Sequence, residues 1–129
     1  MLLDEFIPQY KEYWEAKNLI KIHRRKKFQY KEFIGSEFWE AQKKVWYYKH
    51  GKKCAVCRKE KNVHLHHKIY PKNYRYLMLK DNAFMALCCN CHKTFHTENG
   101  VRQNMQRSSI RWFKRKQLKY QHQFLMKML

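Results

Sequence analysis

Glycine and proline are scarce in this chain, three and two among 129 residues, and no repeat or low-complexity segment interrupts it. With so few residues that favour turns, a chain rich in helix is expected. Acid is scarce too: 10 Asp and Glu stand against 29 Lys and Arg, a formal net charge of +19. That excess goes far beyond what solubility needs and points to a polyanionic partner. No apolar run approaches the ~20 residues of a membrane span. The opening MLLDEFIPQY carries early acids and no signal-peptide pattern. A cytoplasmic protein with no membrane partner is the expectation.

What is present excludes a disordered basic tail. Aromatic residues make up 16% of the chain and are interleaved with the charge, and the hydrophobic fraction of 44% suffices for a compact core. The length fits one domain with modest extensions. A folded, strongly basic protein most often meets nucleic acid.

Five cysteines would suit two disulfides in a small secreted domain, but their spacing argues otherwise. Four fall into two CxxC pairs, Cys54 with Cys57 and Cys88 with Cys91, as in zinc knuckles of a reducing compartment. Cys89 belongs to neither pair and reads as a bystander.

Three zones follow along the chain. Residues 1–53 form a basic helical extension. Within it Pro8 can begin a helix to about Asn18, and Ser36 can cap a second one with Glu37 and Glu40 in its first turn. Phe38, Ala41, Val45 and Trp46 recur there at helical spacing as a core stripe, and Gly51 ends it. Residues 54–99 are the metal-rich zone, in which NVHLHH and the AFMAL run at 83–87 read as short strands and the segment from Asn90 onward as a helix. Residues 100–129 hold eight Lys or Arg and no acid. Val101, Met105 and Trp112 suit one helix there, or Ser108 or Ser109 caps a new one. The fold class expected is α+β: a small strand, strand and helix unit stapled by zinc, flanked by helices.

The residues divide between two metals. A structural zinc wants four soft ligands in a tetrahedron, and the two CxxC pairs supply them: Cys54, Cys57, Cys88 and Cys91. His64, His66, His67, His92 and His96 are then left over, and a purely structural finger has no need of them. His92 and His96, four apart on a helix, share a face within reach of one ion. His66 can complete a three-histidine site for a divalent ion such as Mg²⁺, whose work on a phosphodiester is to neutralise charge at the scissile phosphate. His67, next to a ligand, suits the role of a base taking a proton from water. Taken singly, each of these histidines reads as an ordinary buried or surface residue, and His64 as core or as support for His66.

CAVC, then HLHHKIY, then LCCNCHKTFH together resemble the HNH nuclease family, with its ββα-metal fold. The approach FIGSEFWEAQKKVWYYKHGKKC is similar to the segment leading into the first knuckle of small phage-type members, so the likeness spans roughly residues 33–97. It implies a metal-dependent DNA endonuclease, with His66 and His92 holding the catalytic ion and His67 as general base. His96 would be the third ligand or a phosphate contact. The setting it suggests is a phage or mobile element. One departure stands out: the family's middle Asn or Asp would fall at Ala83, and Asn82 lies one step earlier. Asn82 would serve through a one-residue bulge, orienting the base, or would be an ordinary turn residue.

Double-stranded DNA is the partner the resemblance implies, and neutralisation of its phosphates would come from Arg24, Arg25, Lys26 and Lys27 before the finger and from Arg111, Lys114, Arg115 and Lys116 after it. One finger with one ion cuts one strand per encounter, so double-strand cleavage calls for a homodimer or a partner protein. A rival from another class is a non-catalytic, zinc-stabilised DNA-binding or adaptor protein with a decayed nuclease fold. A third is an RNA-binding zinc knuckle whose aromatics stack bases.

Overall fold

The computed structural model describes residues 2–101 and 103–128, and at residues 2–9, 120, 121, 123 and 124 the backbone alone. The protein mixes helix and strand: α1 (Leu2–Ile22), α2 (Tyr30–Ile34), α3 (Glu37–His50), β1 (Val63–His67), β2 (Phe84–Cys88), α4 (Cys89–Asn99) and α5 (Gln106–Met128). These form two compact units. One comprises Met1–Gly51 with Pro71–Asp81, the other Lys52–Tyr70 with Asn82–Leu129. Where the sequence suggests three zones, the structure therefore joins the last zone to the metal-rich one. It also gives the middle of the loop between β1 and β2 to the helical unit. Among the described residues no helix is long and apolar enough to cross a membrane.

The helical unit is held by aromatic packing. α1 starts ahead of Pro8 and runs past Asn18, longer at both ends than the expected span. Its C-terminal part is extended by tertiary packing: Tyr13, Ala16, Leu19 and Ile20 form one cluster with Ala41 and Val45 of α3. α3 follows expectation closely. Ser36 caps it by accepting from the Trp39 N–H at 3.3 Å, Glu37 and Glu40 occupy the first turn, and Gly51 at φ 83° ends it. The short α2 was not legible. It exists to bury Phe33, whose ring stacks on Tyr76 at 4.6 Å and leans on Phe28 at 5.3 Å. The loop residues Tyr76 and Leu77 are buried in this unit, with Gln42 Nε2 donating to the Tyr76 carbonyl at 2.9 Å.

The second unit is built on an antiparallel pair whose register runs unbroken from Val63 opposite Cys88 to His67 opposite Phe84. β2 lies one residue later than the 83–87 run, and α4 follows it without a gap. Cys88 caps α4, its Sγ accepting from the Cys91 N–H at 3.5 Å, so the second CxxC pair straddles a helix start. The core gathers Cys54, Val56, Leu87, Cys88, Phe95, Met105 and Trp112.

α5 is part of this unit's core. Ser108 and Ser109 lie inside the helix instead of capping it, because the chain turns earlier, at Asn104, whose Oδ1 accepts from the Gln106 N–H at 3.0 Å. Ser109 and Trp112 are buried on one face of it, with Met105, just before the helix, buried at the matching sequence spacing. The segment before α5 pairs with residues 68–70, just after β1, through Tyr70 N–H to Gln103 carbonyl (2.8 Å), Met105 N–H to Lys68 carbonyl (2.6 Å) and a bridge between Ile69 and Asn104. Further along, Trp112 Nε1 donates to Glu98 at 2.6 Å, and Gln117 Nε2 donates to the Ala55 carbonyl at 2.6 Å. α5 is thus tied to β1, to α4 and to the first cysteine turn.

Candidate metal centres

Cys54 and Cys57 sit on a tight turn fixed by backbone hydrogen bonds: Cys54 N–H to Lys59 carbonyl (2.8 Å), Arg58 N–H to Cys54 carbonyl (3.0 Å) and Ala55 N–H to Ala86 carbonyl of β2 (2.8 Å). Arg58 closes the turn in the left-handed region, at φ 65°. Cys88 and Cys91 arrive from the end of β2 and the first turn of α4. The four sulfurs lie within 4.8 Å of one another, with Cys57 and Cys88 3.6 Å apart. That is too long for a disulfide, whose sulfurs sit at about 2.05 Å. It is close to the edge of about 3.8 Å expected for a tetrahedron of thiolates at about 2.3 Å from zinc. The four cysteines are therefore placed to hold a zinc ion. Burial opposes charge on the Cys54 thiol, yet hydrogen bonds from nearby backbone N–H groups and Cys57 bring it down to about 7. Burial and the neighbouring sulfurs push Cys57 and Cys91 up. A cluster that cannot ionise fully on its own is what a doubly charged cation corrects. Cys89 is exposed and lies outside the group.

The second group is His66, His92 and His96, whose ligand atoms also lie within 4.8 Å of one another. β1 alternates, so His64 and His66 project to one face and His67 to the other. α4 presents His92 and His96 on successive turns, their Nε2 atoms 3.0 Å apart. His96 Nδ1 lies 3.0 Å from the Gly100 carbonyl. A carbonyl only accepts, so the proton is on Nδ1 and the Nε2 lone pair faces the group. Gly100 can supply that carbonyl because it ends α4 at φ 71°, a conformation other residues rarely adopt.

His66 is buried, with Nε2 3.1 Å from Ser109 Oγ. Its Nδ1 is buried and has no hydrogen-bond partner among the described residues. Burial, followed by the nearby His92 and His96, pulls His66 down to about 3. Burial, then His96 and His64, pulls His92 down to about 4. Both rings are accordingly neutral at neutral pH, the form that binds metal. Cis ligands at about 2.1 Å from an octahedral ion are about 3.0 Å apart, and tetrahedral ones about 3.4 Å. The spacing of His92 and His96 suits either. A set made only of imidazoles is better matched to a borderline transition ion than to Mg²⁺, which prefers oxygen.

The other sequence candidates fall around these centres. His67 is buried, its ring stacked on Tyr70 at 5.2 Å and edge-on to Phe84 at 5.0 Å. Burial, with a smaller effect of His92, lowers it to about 4. His64 is exposed, a correction to its reading as core; its ring stands 5.7 Å from that of His92. Asn82 is exposed on a 3₁₀ turn, Asp81–Ala83, directly before β2. The strand register runs unbroken from Val63 to His67, so the sheet holds no bulge beside it. Arg24, Arg25 and Lys27 are exposed after α1, and Arg111, Lys114 and Arg115 are exposed on α5. Lys26 lies over the Phe28 and Phe38 rings at 5.3 and 5.0 Å. Lys116 pairs with Glu98 at 3.1 Å and lies over Trp112. Lys26 is exposed like its neighbours and Lys116 is half-buried, and both also make contacts within their own units.

Sequence reasoning passed over Gly100 and Ser109. A glycine just past a histidine-bearing helix signals a left-handed cap. Ser109, spaced four from Met105 and three from Trp112, lies on an apolar stripe, a signal hidden by its resemblance to a cap. No family profile, curated protein or solved structure matches this chain.

Proposed function

We propose that this chain is a metal-dependent DNA endonuclease of the HNH type. In this reading β1, β2 and α4 form a ββα finger, the cysteines hold its structural zinc, and His66, His92 and His96 hold a second, catalytic divalent ion. The observation that carries the proposal is the convergence of those three histidines beside a complete cysteine set, because a purely structural knuckle needs no second ligand group. Bound there, a divalent ion would stabilise negative charge on the scissile phosphate and the leaving oxygen. His67, neutral at physiological pH, would accept the proton of the attacking water. Asn82, on the turn entering β2, would hold the loop that orients this base. Exposed Arg24, Arg25, Lys27, Arg111, Lys114 and Arg115 would neutralise phosphates of duplex DNA, in keeping with the net charge of +19.

The burial of His67 against Tyr70 and Phe84 favours a second reading, a zinc-stabilised DNA-binding module without catalysis. Nicking of supercoiled plasmid with Mn²⁺, Ni²⁺, Mg²⁺ or EDTA at low salt, measured alongside gel-shift affinity, separates the two. The nuclease reading expects metal-dependent nicking that falls by about 10²- to 10⁴-fold in His67→Ala, with duplex affinity nearly unchanged. Tight binding without nicking under any ion would establish the binding module instead.

A further inference from the structure

We infer that Ser109 of α5 is a positioning residue for His66, fixing its tautomer so that Nδ1 is the atom offered to the second ion. The inference rests on the three-histidine metal site proposed above. Its ground is geometric. Ser109 is fully buried on the helix face it shares with Trp112, and its Oγ meets His66 Nε2 at 3.1 Å. Nδ1 of the same ring is buried with no hydrogen-bond partner among the described residues. A neutral imidazole has one N–H and one lone pair. With the proton on Nδ1, a buried donor would go unsatisfied. With the proton on Nε2, that N–H donates to Ser109 Oγ and the Nδ1 lone pair is left to bind metal.

The arrangement matches that of His96, where the Gly100 carbonyl takes the Nδ1 proton and leaves Nε2 for the ion. Two of the three imidazoles are thus held by an acceptor, one by the glycine that ends α4 and one by a serine of α5. Ser109 is itself held in place on both sides. Upstream, Met105 N–H bonds the Lys68 carbonyl at 2.6 Å, and downstream Trp112 Nε1 bonds Glu98 at 2.6 Å. The basic C-terminal segment therefore helps to orient a ligand of the second ion.

The test uses the full zinc-loaded chain. Long-range ¹⁵N–¹H spectra report the His66 tautomer, and calorimetric titration with Ni²⁺ reports the second site. In the parent, His66 should show the Nε2–H form. In Ser109→Ala that form should lose its dominance, and Ni²⁺ affinity should fall by about 10- to 100-fold while zinc content stays unchanged. Trp112→Phe removes a different α5 bond and should leave the His66 tautomer as in the parent. The inference is overturned by a parent Nδ1–H tautomer, or by Ser109→Ala keeping both the parent tautomer and the parent Ni²⁺ affinity. A parent that takes up no Ni²⁺ at all would sink the metal site itself, and this shows before any variant is made.

Discussion

The two units solve the same problem, stabilising a small basic structure, by different means. The helical unit packs rings: Phe28, Phe33, Phe38, Trp39 and Tyr76 are all buried there. Among its described residues there is no group of cysteine, histidine or acidic side chains placed to hold a metal. The other unit has a two-stranded sheet and a core in which Cys54 and Cys88 stand among the buried residues. A two-stranded sheet is marginal alone, so α5 and an ion held by the cysteines would be needed to support this unit. The comparison teaches that zinc should matter locally: its loss should melt one unit and spare the other.

Cys54→Ser should have the largest effect. Structural zinc contributes on the order of 10 kcal/mol or more in small fingers, so resonances of β1, β2 and α4 should collapse while those around Phe33 and Tyr76 keep their dispersion. Simultaneous loss everywhere would mean that the chain has one cooperative structure. Phe33→Ala should cost about 3–5 kcal/mol in the helical unit, read by chemical denaturation, and leave zinc content unchanged. Loss of zinc in that variant would break the comparison from the other side.

The smallest effect concerns Glu98, whose hydrogen bonds to Lys116 and Trp112 pull its carboxyl below the usual range. A depressed carboxylate contributes stability that is complete above its unfolded pKa and fades as pH falls through its folded one. Because the pair is solvent-exposed, Glu98→Ala should cost no more than about 1 kcal/mol at neutral pH. The difference from the parent should shrink on acidification below about pH 4. A difference that grew towards acid would mean that this contact does not tie α5 down.

The centre of the molecule was largely legible because its signals are local and chemical. CxxC spacing, the His92 and His96 pair at one helical turn, and strand alternation at residues 63–67 each follow from neighbours in sequence. α3 was legible for the same reason, through Ser36 and Gly51. What escaped depends on contacts far apart in sequence. The loop from Pro71 joins the helical unit because Tyr76 and Leu77 find a core there, and no local pattern announces that. Ser109 sits 43 residues from His66, so its part in the site cannot be read from either neighbourhood.

The most direct test is metal stoichiometry by native mass spectrometry after exposure to zinc and Ni²⁺. The parent should carry two ions per chain, and His92→Ala should carry one, still in the cysteine site. A parent holding a single ion, or a His92→Ala variant that still holds two, would contradict the division of labour between sulfur and imidazole.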